Sequence, residues 1–394
     1  MNPRRPGLLA DLLVVDLSRA LAGPHAAMML GDLGARVIKI ETPDGGDDTR
    51  GWGPPFVTDA AGEQHATYFL SANRNKESIA LDLKSDDGRD VLTRLIGRAD
   101  VLIENFRPGV LDRLGFSVLQ LHEMNPRLVI LSITGFGHDG PEAQRTAYDQ
   151  IAQGEAGLMS ITGPSPDEPT KVGVPIADLL AGMYGAYGVL AALRERDRTG
   201  TGTVVRTSLL AAVVGVHGFQ GARYTVAGEV GRASGPQHSS ICPYGLFHCA
   251  DGVVQIAIGS DGLWRRLAIA FDLDRAEWAT NRQRVADREA VIAAVQDAFA
   301  PHPRDALLRR LDEIGVPAGR VRDLGEVYEW EQTASQGLVL EVDHAALGAL
   351  RLPGPPLRIE GIDGIDTAGA TAHTAPPTLD QHGPAIRAWL AGEE

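Results

Sequence analysis

Cysteine is almost missing from this chain. Cys242 and Cys249, separated by six residues, are the only two among 394, and no His/Cys spacing accompanies them, so neither a disulfide framework nor a zinc site is expected. No H-E-x-x-H or comparable metal spacing occurs, and no G-x-S-x-G; Thr134-Gly135-Phe136-Gly137 offers no nucleophile elbow. Long apolar runs are lacking too: Leu209 to Val216 and Gly188 to Leu193 are far too short to cross a bilayer. Arg4 and Arg5 before LLADLLVVDL faintly imitate a signal peptide, but Asp11 and Asp16 interrupt the stretch and no small-residue cleavage site follows. A cytoplasmic protein without a membrane partner is the expectation. Positive charge is also in deficit, with 37 basic against 51 acidic residues and a formal charge of −14. That balance argues against a nucleic-acid partner, because coating phosphate backbones needs a net basic face. A local basic pocket for a small phosphorylated ligand stays open.

What is present suits a globular protein of two or three domains: 44% hydrophobic and 22% charged residues, with 46 glycines and 24 prolines outside any collagen period. The first half alternates strand-like and helix-like pieces. Leu12 to Leu17 reads as a buried parallel strand, His25 to Leu33 as a helix entered through Pro24, and Arg36 to Glu41 as a second strand. Strands at Ser78 to Leu83, Val101 to Glu104, Leu128 to Ile133 and Thr203 to Ser208, with a helix at Asp87 to Arg98, predict an open α/β sheet. Asp178 to Arg196 reads as a long helix whose Gly182, Gly185 and Gly188 let another backbone pack closely. From Tyr224 the texture changes, with a Gly/Ser loop, a strand at Val253 to Ile258 and three helices between Gly262 and Ile314. The expected organisation is a large domain over 1–223, a small inserted domain over 224–328, and a segment over 329–394 that returns to the large one.

Glu41, at the end of the second strand, invites a dinucleotide reading, since an acid there would hold a ribose. The preceding turn, Ser18 to His25, lacks G-x-G-x-x-G and carries Pro24 where an amide donor is needed, which weighs against a nicotinamide dehydrogenase. Basic residues gather near strand ends: Arg36 and Lys39, Arg74 and Lys76, Lys84, Arg107, and Arg113. Each alone reads as a solvated surface charge, but beside strand ends they could pair with phosphate. Asp178 follows Pro175-Ile176-Ala177 and opens the long helix. The plain reading is an N-cap, and the positive end of the helix dipole would keep its carboxylate ionised. An ionised carboxylate in a dry cleft is also a nucleophile toward an activated acyl group, so the two readings are compatible. His238 and Tyr244 read either as loop and packing residues or as donors to a substrate carboxylate.

Several motifs then occur in order: A-G-P (Ala22 to Pro24), L-G-D-L-G-A-R-V-I-K-I-E (Leu30 to Glu41), G-D-D-T-R-G-W (Gly46 to Trp52), N-R-N-K-E-S-I-A-L-D-L-K (Asn73 to Lys84), A-D-V-L-I-E-N-F-R-P-G (Ala99 to Gly109) and L-D-R-L-G-F (Leu111 to Phe116). With the Asp178 region, R-T-G-T-G (Arg198 to Gly202) and P-Y-G-L-F (Pro243 to Phe247), they resemble the class III coenzyme A transferases, the family of formyl-CoA transferase, carnitine CoA-transferase and α-methylacyl-CoA racemase. The resemblance runs from Leu12 to the C-terminus. It implies a Rossmann-like large domain, a smaller α/β domain, and a homodimer of interlocked rings. Acyl-CoA and a small carboxylic acid are the implied partners, with coenzyme A as substrate and no tightly bound cofactor. The family's catalytic aspartate falls on Asp178, which would pass through an aspartyl-CoA thioester. Its CoA contacts fall on Leu21, Ala22, Leu81 to Lys84, Asn105, Phe106, Arg107 and Arg113. Formyl-CoA transferase has Gln where Leu21 stands and Arg where Thr42 stands, and its polyglycine clamp has no counterpart here. Racemases carry His-Asp where this chain has Tyr148-Asp149, so the base pair for α-proton exchange is incomplete and transfer is favoured. The loop Gln237 to Gly245, with His238 and Tyr244, looks like transferases acting on succinate, mesaconate or citramalate, with Tyr148 as a further substrate contact.

Overall fold

The computed structural model describes residues 7–360 and 373–392; Arg4, Arg5 and the middle of the proline-bearing stretch 354–377 lie outside the described residues. Thirteen strands are described: β1 (Leu13–Asp16), β2 (Arg36–Glu41), β3 (Phe56–Thr58), β4 (Gln64–Ala66), β5 (Lys76–Ala80), β6 (Val101–Glu104), β7 (Val129–Thr134), β8 (Val204–Ser208), β9 (Tyr244–Cys249), β10 (Gly252–Ala257), β11 (Ala318–Arg320), β12 (Val339–His344) and β13 (Gly348–Pro353). The helices needed below are α1 (Ala22–Asp32), α2 (Asp86–Arg98), α3 (Asp149–Glu155), α4 (Ile176–Thr199), α5 (Leu209–Gly215), α6 (Asp261–Ala270), α7 (Arg288–Phe299), α8 (Arg304–Glu313) and α9 (Gly383–Ala391).

The chain forms two compact units. The first takes Met1–Leu158, Val172–Thr225 and Glu331–Glu394; the second takes Met159–Lys171 and Val226–Trp330. The short segment 159–171, which the sequence reading kept in the large domain, clusters with the second unit because its backbone pairs there. The Ala233 N–H donates to the Ser160 carbonyl, and the Gly235 N–H to that of Gly163.

In the first unit six strands form one sheet in the order β5-β2-β1-β6-β7-β8, every neighbouring pair parallel. This is a Rossmann-like α/β arrangement. Val14, Val15, Ile38, Val101, Leu102, Ile103 and Leu131 are almost fully buried, as strands covered on both faces require. From the central β1 the order runs one way to β2 and β5 and the other way to β6, β7 and β8, so a topological switch point lies between β1 and β6. α4 crosses α1 at Gly182, where an added Cβ would stand 2.6 Å from the Ala22 carbonyl oxygen. Gly185 and Gly188 instead face the side chains of Leu131 and Val205. The row therefore seats the helix against one helix and two strands, not only against a backbone. Among the described residues α4 is the one helix long and apolar enough to cross a membrane by length and composition; its packed glycine face explains that apolarity within a sheet protein. Two hairpins that the sequence reading missed, β3–β4 and β12–β13, also belong to this unit.

The second unit has an antiparallel sheet in the order β11-β10-β9. Phe247, Val254, Trp264, Trp278, Val295, Phe299 and Leu307 form its core with α6, α7 and α8.

Candidate active site

The N-cap reading of Asp178 gives way to a different arrangement. α4 begins two residues earlier than the periodicity suggested, its N-cap is Pro175, and no side chain of its own caps it. Asp178 is an acid of the first turn. The cap comes from Asp149, at the start of α3, whose Oδ1 accepts the N–H of Ala177 at 2.7 Å and that of Asp178 at 3.3 Å. The other Asp149 oxygen accepts the Gln153 amide at 2.6 Å, and Gln153 in turn accepts the Val172 N–H at 2.9 Å. A helix entered through proline has no side-chain acceptor at its cap, so an acid from elsewhere answers its free amides.

This leaves the Asp178 carboxyl without a hydrogen bond among the described residues. It is half-buried. Burial, and after it the charge of Asp149, push its pKa up to about 7. The expectation that the helix dipole keeps this group firmly ionised is therefore overturned. A dipole contributes about 0.3–1 kcal/mol at a terminus, less than the cost of desolvation beside a second carboxylate. Tyr68 lies near both acids. Its phenol is pushed up to about 12, first by burial and then by the charges of Asp178, Asp149 and Asp47. The Trp52 ring meets Tyr68 edge-on at 5.1 Å and Tyr148 at 6.3 Å, so three aromatic rings run in a row beside the acids. Tyr148 itself is exposed. Asp149, Tyr68 and Trp52 were not singled out as site residues. Trp52 closes the G-D-D-T-R-G-W motif, and the proline before α4 was the available signal that an outside cap was needed.

The basic residues divide into two groups. Four are consumed by acids of the fold: Arg36 by Glu77, Lys39 by Asp47, Arg74 by Asp32 and Lys76 by Asp16. Lys39, Lys76 and Asp16 are buried. Lys76 also donates to the Pro24 carbonyl at 2.8 Å and to Asn73 at 2.9 Å, which ties β5 to the entry of α1. Burial alone would raise the Asp16 pKa, but the charges of Lys76 and Lys39 and a hydrogen bond from Ser18 hold it below the usual carboxylate range. Glu41 is taken by Arg50 through two 2.7 Å bonds and by the Ser78 hydroxyl, so it has no freedom to hold a ribose. Lys39, Arg74 and Lys76 are therefore buried in ion pairs, while the partly exposed Arg36 is held by Glu77.

The second group is free. Lys84, Arg107 and Arg113 are exposed and make no ion pair among the described residues. Lys84 joins Leu17, Arg19, Ile40, Leu81 and Phe106 around a cleft of about 360 Å³ at the switch point, where open α/β sheets bind ligands. Asn105 fixes the loop above it by accepting the Arg19 N–H at 2.8 Å and donating to the Arg19 carbonyl at 2.7 Å. Leu21 and Ala22 are buried, which leaves their backbone as the part able to meet a ligand. In the second unit, His238 and Tyr244 come together with ring centroids 5.2 Å apart, and the His238 N–H donates to the Tyr244 carbonyl at 2.8 Å. The His238 Nδ1 accepts the Ser240 N–H.

The sequence profile described as CoA-transferase family III matches residues 9–383. Human succinyl-CoA:glutarate CoA-transferase is 36% identical over 97% of this chain and 85% of its own length. Succinate–glutarate CoA-transferase of Agrobacterium fabrum is 39% identical over 91% of this chain and 92% of its own. Among solved structures, a CaiB/BaiF family protein from Brucella suis superposes with a TM-score of 0.85 at 39% identity, covering 98% of this chain and all of that one.

Proposed function

Because the chain belongs to CoA-transferase family III, we propose that Asp178 carries coenzyme A from an acyl-CoA donor to a small dicarboxylic acid, in the range of succinate and glutarate. The observation that carries this reading is the Asp178 carboxyl itself: half-buried, without a hydrogen bond among the described residues, and raised to about 7. A carboxylate of that basicity is a better nucleophile than an ordinary aspartate, and a large fraction is ionised at neutral pH.

The reaction balances without ATP. Ionised Asp178 attacks the donor thioester carbonyl; the C–S bond breaks, and CoA leaves as a thiolate from a mixed anhydride. The thiolate then attacks the aspartyl carbonyl and expels the donor acid as its carboxylate, leaving an aspartyl-CoA thioester. The acceptor carboxylate attacks that thioester, giving a second anhydride and the thiolate again. Attack of the thiolate on the acceptor acyl carbon forms the new acyl-CoA and restores Asp178. Each exchange trades one activated acyl for another, and binding of the distant nucleotide can support the reacting end. Asp149 holds the first turn of α4 in place through these steps.

For the nucleotide, Lys84, Arg107 and Arg113 supply unspent cations, Leu81 and Phe106 apolar contact, and Leu21, Ala22 and Asn105 backbone and loop placement. Tyr148 is assigned to the acceptor acid. The working form is an interlocked homodimer in the cytoplasm; the exposed Tyr187 on α4, with Phe219 and Tyr224 of the helix Gly218–Ala227, gives a second copy an apolar face to cover. The racemase alternative lacks its histidine base, since Tyr148 stands there. Mass spectrometry of protein mixed with succinyl-CoA and glutarate tests the central claim. An acyl or CoA adduct should map to the peptide containing Asp178 and yield to hydroxylamine, and Asp178→Asn should abolish it. An adduct that survives that substitution refutes the assignment.

A further inference from the structure

A second cavity, of about 200 Å³, lies in the first unit and shares Phe106 with the switch-point cleft. Its polar wall is one row across three parallel strands. Glu104 of β6 is in register with Ser132 of β7, and Ser132 with Arg206 of β8, so the three side chains stand as cross-strand neighbours. Glu104 is 7% exposed and Ser132 8%. The Ser132 hydroxyl donates to Glu104 Oε1 and lies 2.8 Å from His138 Nε2, while Glu104 Oε2 accepts the Phe106 N–H at 2.8 Å. Both Glu104 oxygens are thus occupied. Arg206 is not: its guanidinium makes no ion pair or hydrogen bond among the described residues, although Glu104 and His138 both feel its charge. The lining also holds the buried apolar side chains of Phe116, Leu121 and Ile130, the last on β7 two residues before Ser132, together with the charged Arg107 and Asp112.

An exposed guanidinium without an ion-pair partner among the described residues, beside the buried hydrocarbon of Phe116, Leu121 and Ile130, suits an anion with a short apolar body. A nucleotide is too large, and inorganic phosphate would gain nothing from Phe116, Leu121 and Ile130. We propose that this cavity is a second binding site, for a short-chain organic carboxylate held by Arg206 with its hydrocarbon end against Phe116, Leu121 and Ile130. The bond from the Phe106 amide to Glu104 carries its occupancy to the neighbouring cleft. Only the identity of that cleft's ligand rests on the CoA-transfer reading.

The test is a titration of the full chain, ¹³C-methyl-labelled at Ile and Leu and ¹⁵N-labelled, with butyrate. Saturable shifts are expected at the methyls of Ile130 and Leu121 and at the Phe106 amide, while equal inorganic phosphate leaves them unmoved. Arg206→Ala should weaken the apparent affinity about tenfold or more, as loss of a charge-assisted pair does; Arg206→Gln serves if the alanine variant fails to fold, with the buried Leu30 and Ile38 methyls of the first unit reporting folding. Asp178→Asn should lose transfer yet keep these shifts, so the two proposals fail separately. Unchanged affinity in a folded Arg206 variant, equal shifts with phosphate, or no shift at Ile130 would overturn the site. A still Phe106 amide would overturn the coupling.

Discussion

Two sets of charges at the strand ends of one sheet contrast sharply. Under β1, β2 and β5, Asp16, Lys39, Asp47 and Lys76 are buried and neutralise one another within 2.9 Å. Around the switch point and the start of α4, Lys84, Arg107, Arg113 and Asp178 carry charge-bearing groups with no ion-pair partner among the described residues. The difference teaches that residue type and closeness to a strand end do not identify a binding charge. What identifies it is whether the fold has already used the charge. The buried set locks the loop that enters α1; the unspent set is left to meet a ligand.

Breaking the buried set should cost most. Lys76→Met leaves Asp16 desolvated and without its closest cation, so a loss of roughly 3–5 kcal/mol is expected in denaturant unfolding. Asp16→Leu combined with Lys76→Met should recover much of it, since a pair replaced by apolar groups strands no charge. A Lys76→Met protein as stable as the parent would erase the distinction between the two sets.

The unspent cations should behave in the opposite way. Arg113→Ala or Arg107→Ala should leave the unfolding midpoint nearly unchanged and raise the KM for acyl-CoA about tenfold, worth roughly 1.4 kcal/mol. Added salt should narrow that gap, because exposed charges are screened. Steady-state kinetics at two ionic strengths checks this, and a large fall in stability without a KM effect would place these residues with the buried set.

The smallest effect sharpens the contrast from the acid side. Asp16 is held ionised by its cations, whereas Asp178 is raised to about 7 by burial and Asp149. A carboxyl whose folded pKa lies above its unfolded value favours the fold most below about pH 4, and that advantage disappears as pH rises through about 7. Asp178→Asn should therefore raise Tm by roughly 1–3 °C at pH 8 and by nothing at pH 4. Thermal melts across that range measure it. The same titration predicts that adduct formation by the parent protein climbs as pH passes about 7 and levels off above it.

Much of the fold was legible along the chain. β6 lies where the apolar run Val101 to Ile103 puts it, because strands covered on both faces favour continuous apolar residues, and β2 lies at Arg36 to Glu41 around Val37, Ile38 and Ile40, with its Lys39 and Glu41 answered by Asp47 and Arg50. β5 was placed too late, at Ser78, because Lys76 is a charged residue whose burial only Asp16, Asn73 and the Pro24 carbonyl make tolerable. The start of α4 was misjudged for a related reason: its cap is Asp149, 29 positions away, and local capping rules see only neighbours.

The amino-acid sequence alone therefore determined the alternating α/β order, the glycine-faced helix and the presence of an aspartate near its start, since periodicity, apolar runs and ordered motifs are properties of neighbouring residues. Only the tertiary structure decided which lysines and arginines are spent inside the fold, which acid caps α4, and that the Asp178 carboxyl is raised to about 7 instead of being held ionised by the dipole. Those outcomes depend on desolvation and on charges brought together from distant parts of the chain, and both come into being only when the chain packs.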